Sequence, residues 1–278
     1  MTDPGDRPGR TPGATDSRYG PGPAVHRLAW LTASGLSAVL VVVAVALRLP
    51  VAGSPRPVVV QGGSEGRPVT AVEIVGGGAD VGVTPAGDRE VTYRARITRA
   101  SSAPTVEENR LGGTLRLTPH CPGEDSGCSA QLLVTVPRDV PVKVSGGSGR
   151  VSLSGLDGAV DAEVTSGSLT LTGLRGPLRA AVGSGILRAG ALGSARVEVR
   201  TGSGRGEVEF VVPPERVTGY AGSGRLDITV PASSRFRVAC RTGEGRCEVD
   251  AALGDPGSAH SLDLTAGSGR VRAGPPTP

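Results

Sequence analysis

The sequence predicts an all-β protein, built as a β-solenoid of about seven repeats and preceded by one transmembrane α-helix. A Gly-Ser-Gly motif or a close variant recurs through the second half, with its reference glycine at Gly149, Gly167, Gly185, Gly204, Gly224, Gly245 and Gly269. The intervals between these glycines are 18, 18, 19, 20, 21 and 24 residues, a near-constant period that is typical of a solenoid. Apolar and polar residues alternate between the motifs, as they do in strands. Aromatic residues make up only 2% of the chain, so we expect a thin, aliphatic core.

The N-terminal region is predicted to carry the membrane helix. Residues 1–27 are rich in Pro, Gly and Arg and are expected to form a disordered cytoplasmic tail. Residues 28–47 contain no charged side chain, and as a helix they would span a bilayer core of about 30 Å. The arginines before this run place the N-terminus in the cytoplasm and the C-terminal part outside it, by the positive-inside rule. A cleaved signal peptide is the alternative, although no A-x-A-like site follows the run.

Residues 48–68 are interpreted as a linker, and residues 69–140 as an irregular β portion that caps the solenoid. Period-two alternation predicts five strands, which are Val69 to Val75, Asp80 to Thr84, Glu90 to Thr98, Thr114 to Thr118 and Ser129 to Val136. Clusters of glycine and proline separate these strands.

The repeats occupy residues 141–273, and residues 274–278 are expected to be a disordered tail. When the repeats are aligned on the reference glycine, the second and fourth residues after it are apolar or small, so they are expected to face inward. The first and third residues are expected to face water. The residues at the first position are Arg150, Ser168, Ile186, Arg205, Arg225, Arg246 and Arg270.

The four cysteines form two pairs with the same spacing. Cys121 is matched with Cys128, and Cys240 with Cys247. In an oxidising compartment, an even count with matched local spacing favours two local disulfides, although four cysteines allow three connectivities. A zinc site at His120, Cys121 and Cys128 is the alternative, but the cysteine spacing is longer than that of known zinc motifs.

An outward column of arginines is the candidate binding site. Its members in the later repeats are Arg205, Arg225, Arg246 and Arg270. Stacked strands lie about 4.8 Å apart, so these side chains are expected to form a positive strip that could hold phosphate or carboxylate groups. The alternative is that Glu207, Asp227 and Glu248 neutralise the strip and leave only a soluble surface.

Several classes of chemistry are disfavoured. Lys143 is the only lysine, which excludes a Walker-type phosphate loop, and a net charge of +4 with few aromatic residues argues against nucleic acid as a partner. The motif serines are expected in tight turns, and the histidines are isolated, so no Ser-His-Asp triad is predicted. We expect no enzymatic activity, no cofactor and no bound metal.

The alternating columns resemble a bacterial family. Together with Thr201-Gly-Ser-Gly-Arg205, Thr242-Gly-Glu-Gly-Arg246 and strand-ending pairs such as Val230-Pro231, they are similar to the putative-adhesin family of β-strand-repeat proteins, a domain of unknown function often found behind one membrane helix. The resemblance covers roughly Val69 to Val271. It implies a β-helix-like fold and an extracytoplasmic location, and it carries no catalytic residues.

These features predict a single-pass, membrane-anchored, extracytoplasmic module with a non-catalytic adhesion, binding or structural role at the cell envelope. Its expected partners are the membrane and either an envelope polymer or another surface protein. Two alternatives belong to other classes. One is an envelope-stress sensor that signals through the tail at residues 1–27. The other is a glycan-active β-helix enzyme that uses the acidic column of Glu207, Asp227 and Glu248.

Overall fold

A computed structural model describes residues 58–64, 66–87, 89–98, 105–120 and 129–276. Within these ranges the chain forms two large β-sheets and a short 3-10 helix, Ala251–Leu253, but no α-helix. The predicted all-β class is confirmed. None of the described helical turns is long or apolar enough to cross a membrane. The predicted tail at residues 1–27 and membrane helix at residues 28–47 lie outside the described residues.

Sheet 1 has eleven strands and sheet 2 has ten. In order across sheet 1, the strands are β1 (Val58–Gly63), β4 (Thr92–Thr98), β7 (Ser129–Val136), β3 (Asp80–Pro85), β9 (Arg150–Ser154), β11 (Ser168–Thr172), β13 (Ile186–Leu192), β15 (Arg205–Phe210), β17 (Arg225–Thr229), β21 (Arg270–Gly274) and β19 (Arg246–Val249). In order across sheet 2, they are β18 (Arg237–Thr242), β20 (Ser261–Ala266), β16 (Arg216–Ala221), β14 (Arg196–Thr201), β12 (Leu178–Val182), β10 (Val160–Val164), β8 (Val142–Gly146), β2 (Ala71–Gly77), β6 (Thr114–His120) and β5 (Thr105–Leu111).

From β8 onward, successive strands alternate between the two sheets. Each strand pairs in parallel with the equivalent strand of the neighbouring repeat, as where Val160 of β10 lies opposite Leu178 of β12. The core lies between the sheets, and the predicted inward columns are buried from β9 to β17 and in β21. In β19, Cys247 and Val249 are only partly buried, because this strand lies at the end of its sheet and has a neighbour on one side only.

The reference glycines are required by close packing of one repeat on the next. None of them has a positive φ among the described residues. A Cβ added to Gly185 would collide with the carbonyl oxygen of Gly167, and a Cβ on Gly204 with that of Gly185. A Cβ on any of the other five reference glycines would likewise collide with a backbone carbonyl oxygen of the neighbouring repeat or strand. The motif therefore allows backbone to approach backbone, whereas strand ends elsewhere, such as Gly155 with φ +66°, use glycine for its left-handed conformation.

The last two repeats are stacked in reverse of their chain order. β20 lies between β16 and β18, and β21 lies between β17 and β19. Leu262 and Leu264 of β20 are fully buried, whereas Cys240 of β18 is exposed. The more apolar repeat thus takes the inner position, where both of its sides are covered.

The N-terminal portion differs from the repeats because it contains antiparallel pairs. β4 pairs antiparallel with both β1 and β7, and β5 pairs antiparallel with β6. Residues 58–63 form β1 within the segment interpreted as a linker (48–68), which corrects that interpretation for these residues. The three valines that open β1 favour a strand, and Val60 packs against the core. β5 was also missed, since its charged residues show no alternation of apolar and polar side chains.

Candidate anion-binding surface

The four arginines of the predicted strip lie on four adjacent strands of sheet 1. Arg205 is opposite Arg225, Arg225 is opposite Arg270, and Arg270 is opposite Arg246. Their spatial order therefore differs from their order in the chain, because β21 lies between β17 and β19. Neighbouring strands are about 4.8 Å apart, so the arginine side chains emerge in one row. We call this row the arginine strip.

The two inner members of the arginine strip are neutralised by carboxylates. Arg225 donates from Nε and Nη2 to the two Asp227 carboxylate oxygens, at 2.5 and 3.0 Å. This hydrogen bonding, reinforced by the negative charge of Asp227, raises the pKa of the Arg225 guanidinium above its ordinary value. The Nε of Arg270 lies 3.8 Å from Oε1 of Glu248. The inner strip is therefore internally paired.

The two outer members are exposed and carry no ion pair within 4.0 Å in the described part of the chain. These are Arg205 and Arg246. Glu207, which was expected to neutralise the strip, lies 3.8 Å from Arg188 instead. In the parallel row, Arg272 lies opposite both Asp227 and Glu248 and is also exposed.

A groove of about 790 Å³ runs beside the strip, at the end of the strands. Arg225 and Arg272 line it together with Asp227 and Glu248, and the chain after Gly274 forms one wall. Guanidinium groups present several N–H donors in a planar fork that fits carboxylate and phosphate oxygens. The surface thus combines free guanidinium groups with carboxylates that compete for them.

The disulfide predicted between Cys240 and Cys247 is confirmed. It joins β18 to β19, with the two Cα atoms 6.3 Å apart, and so connects the two sheets in the last repeat of the stack. Cys121 and Cys128 lie outside the described residues, so the predicted second disulfide and the alternative zinc site stay untested. Among the residues that are described, no group of three His, Cys, Asp or Glu side chains is close enough to hold a metal ion.

Among the described motif serines and histidines, side-chain contacts are observed for Ser223, Ser268 and His260. Ser223 and Ser268 lie in neighbouring motifs with their Oγ atoms 3.1 Å apart. The Nδ1 of His260 donates to the Pro214 carbonyl oxygen at 2.7 Å, and its ring packs edge-on against Phe236. His120 is exposed at the end of β6. The structure therefore does not bring these side chains together into a nucleophile and base.

A second charged feature, on the outer face of sheet 2, was missed. Its residues lie at one register position on six adjacent strands and alternate in sign, in the order Arg116, Glu73, Lys143, Asp161, Arg179 and Glu198. We call this row the charge ladder. Four of its members could have been found by aligning the repeats six residues before the reference glycine, where Lys143, Asp161, Arg179 and Glu198 fall in one column.

Ion pairing within the charge ladder is strongest at one end. Arg179 donates to Glu198 at 2.8 Å, and Arg200 donates to the other oxygen of Glu198 at 2.8 Å. These hydrogen bonds hold the pKa of the Glu198 carboxyl below its ordinary value, and the bond from Arg179 has the larger effect. At the other end, Arg116 is 4.0 Å from Glu73. Lys143 and Asp161, at the centre, form no ion pair within 4.0 Å in the described residues.

Comparison with known proteins gives similarities of structure only. No protein-family model and no curated protein matches the chain. Among solved structures, it is similar to a putative cell adhesion protein from Clostridium sporogenes, with 13% identity, 78% of this chain and 99% of that chain covered, and a TM-score of 0.37. It is also similar to a putative lipid binding protein from Parabacteroides distasonis, with 14% identity, 80% and 98% covered, and a TM-score of 0.40. A third is a putative adhesin from Parabacteroides merdae, with 10% identity, 80% and 98% covered, and a TM-score of 0.25. At these identities and TM-scores, function cannot be transferred from these proteins to this chain.

Proposed function

We propose that this chain is a non-catalytic module of the cell envelope that binds an anionic polymer through the arginine strip. One observation carries the proposal, which is that four arginines occupy the same register position on adjacent strands of sheet 1. Unlike an isolated surface charge, a row with a spacing of about 4.8 Å can engage several anionic groups of one polymer chain together.

In this proposal the strand pairs form a β-solenoid, and the solenoid stands outside the cytoplasm on the predicted membrane helix at residues 28–47. The alternation of strands between two sheets and the parallel register of equivalent residues support a solenoid. The disulfide between Cys240 and Cys247 supports an extracytoplasmic location, because disulfides persist mainly in oxidising compartments.

Binding would begin at the unpaired outer arginines, Arg205 and Arg246. A polymer carrying phosphate or carboxylate groups could then compete with Asp227 and Glu248 for the inner arginines, Arg225 and Arg270. Exposed charges of this kind are screened at high ionic strength, with a Debye length of about 8 Å at physiological salt. We therefore expect binding to be salt-sensitive, and we expect Arg205 and Arg246 to contribute most to it.

The test measures binding of the full chain to immobilised polyphosphate and polyglutamate at low and high salt. The variant Arg205→Ser/Arg246→Ser removes the two unpaired members of the arginine strip. The matched control, Arg94→Ser/Arg96→Ser, removes two exposed arginines from β4 of the same sheet and changes the net charge equally. We expect the strip variant to lose about tenfold or more in affinity at low salt, which corresponds to about 1.4 kcal/mol, and the control to bind as the unmodified chain does.

Equal loss in both variants would show a general charge effect, and the proposal would then be wrong. Failure of the unmodified chain to bind either polymer at low salt would also refute it, and would leave the arginines as surface charge only.

A further inference from the structure

We propose that a second copy of this chain docks on the outer face of sheet 2, through the charge ladder and about a two-fold axis parallel to the strands. This inference goes beyond the proposed function, because it concerns the opposite face of the protein. The dimer would leave the arginine strip on sheet 1 free in both copies.

The charge pattern of the ladder is complementary to its own reverse. From β6 to β14 the signs run positive, negative, positive, negative, positive, negative. A two-fold axis that lies in the interface, parallel to the strands and between β8 and β10, reverses the strand order of the second copy. It also places the charge ladder of the second copy against that of the first. Lys143 then faces Asp161 of the second copy, Glu73 faces its Arg179, and Arg116 faces its Glu198. Each contact occurs twice, as an isologous interface requires.

The same pattern disfavours the other face-to-face arrangement. A two-fold axis in the plane of the interface but perpendicular to the strands would set each strand against its own equivalent. Every ladder residue would then face the same residue of the second copy, and like charges placed directly opposite repel. The alternation therefore selects one orientation of the partner.

The rows on either side of the ladder fit the selected orientation. The residues next to the ladder on its N-terminal side are small and apolar on four strands, and they are Ala71, Pro141, Ala159 and Pro177. In the dimer, Pro141 faces Ala159 of the second copy, and Ala71 faces its Pro177. On the C-terminal side, Val75 faces Ala181. Small apolar side chains thus meet each other on the N-terminal side of the charges, whereas on the C-terminal side Ser145 faces Glu163 at the centre.

A groove of about 620 Å³ lies along this face, lined by the apolar row and the charge ladder. The long side chains of Lys143 and Arg179 from the second copy could occupy it. Lys143 and Asp161, the pair nearest the two-fold axis, have no ion pair within 4.0 Å in the described part of this chain. The charges that are least satisfied within one copy are therefore those that the dimer would pair at its centre.

The expected area makes this a weak association. Six strands at a spacing of about 4.8 Å span about 24 Å across the sheet. Three outward rows of side chains, about 6.6 Å apart, span about 15 to 20 Å along the strands. The face then buries roughly 400 to 500 Å² per copy, near the low end for specific interfaces. We expect a dimer that forms at low ionic strength and dissociates at high salt.

The only lysine of the chain allows a direct test. Full chain labelled with ¹⁵N is mixed with unlabelled full chain at low salt and treated with a zero-length carbodiimide, which joins an amine to a carboxylate. We expect a cross-link between Lys143 and Asp161 whose two peptides carry different isotopes, and its loss at high salt. A cross-link found only between peptides of the same isotope would place the pair within one chain and overturn the proposal.

Charge exchange separates a dimer contact from a contact within the chain. The readout is co-purification of an untagged full chain with a tagged copy of the same variant. We expect Lys143→Glu and Asp161→Lys each to reduce co-purification about tenfold, since each sets like charges face to face. The double variant Lys143→Glu/Asp161→Lys should restore it to within about twofold.

The double variant does not restore the charge pattern within one chain, because it sets a carboxylate beside Glu73 and an amine beside Arg179. If the ladder only fixed strand register, the double variant would keep two like-charge neighbours within the chain, as each single variant does, and would not recover co-purification. That result, with thermal melts showing that each variant is folded, would refute the dimer.

Discussion

Replacing Gly185 by alanine would test whether the glycine motif exists for close packing between repeats. A Cβ at this position would overlap the carbonyl oxygen of Gly167 and would lie 2.9 Å from the carbonyl carbon of Gly167 and 3.1 Å from that of Ser166. All three atoms belong to the backbone, so no side-chain rotation can relieve the overlap. Overpacking of this kind lowers the free energy of unfolding by about 1 to 3 kcal/mol. The alanine variant has less conformational entropy in its unfolded state, which offsets about 0.4 to 1 kcal/mol of that loss. Because the overlap is entirely with backbone, we expect the upper end of the overpacking cost, and so a net loss of about 2 kcal/mol.

Gly190→Ala is the matched control, because Gly190 belongs to β13, the strand that directly follows the same motif. A Cβ at Gly190 would meet no atom within 4 Å, and its φ is not in the left-handed region. This variant should be unchanged or more stable by up to about 1 kcal/mol. Urea denaturation and thermal melts followed by circular dichroism would measure both variants, and the Gly185 variant should melt about 4 to 8 °C lower. Equal stability of the two variants would show that the close approach does not explain the motif.

Two further predictions concern the end of the stack and the charge ladder. Cys240→Ser/Cys247→Ser should destabilise the repeat formed by β18 and β19 by at most about 2.5 kcal/mol, since the closed loop is short. Hydrogen exchange should increase in β18 and β19 but not in β14. An equal increase in all strands would contradict this prediction. The Glu198 carboxyl has a pKa below its ordinary value in the folded protein, so its contribution is present above the unfolded pKa of about 4.3 and is lost as the pH falls through the lower, folded value. Glu198→Gln should therefore be less stable than the unmodified chain at pH 7, by less than about 1 kcal/mol, and equally stable in strong acid, whereas a gap that persists in acid would rule out this ion pair as its source.

The repeats were predictable from the sequence because every copy carries the same physical constraints. The reference glycine must leave room for backbone, and the second and fourth residues after it must fill the core, so both appear at a regular spacing. The reversed order of the last two repeats was not predictable in this way. Both repeats satisfy the motif, and the choice between them depends on how completely Leu262 and Leu264 are buried compared with Cys240, which is a property of the assembled stack.

The N-terminal strands that were missed show a different limit. β5 has charged residues on both faces and is held by its antiparallel pairing with β6. Its own sequence therefore does not identify it as a strand, and only the pairing with β6 does. The charge ladder was partly readable, since four of its members share a column in the repeats. The other two, Glu73 and Arg116, belong to strands outside the regular period and join the row only through the observed register.

The position of the disulfide follows from the unequal burial of the repeats. An inner repeat has a neighbour on both sides, whereas the repeat formed by β18 and β19 has one only. Val238, Cys247 and Val249 are therefore only partly buried, and less apolar area stabilises this repeat than any inner one. A covalent bond between Cys240 and Cys247 holds the two strands together where packing is weakest. The open end also presents unpaired strand edges, which invite association with other chains, and the exposed arginines of β18 and β19 oppose that association by charge.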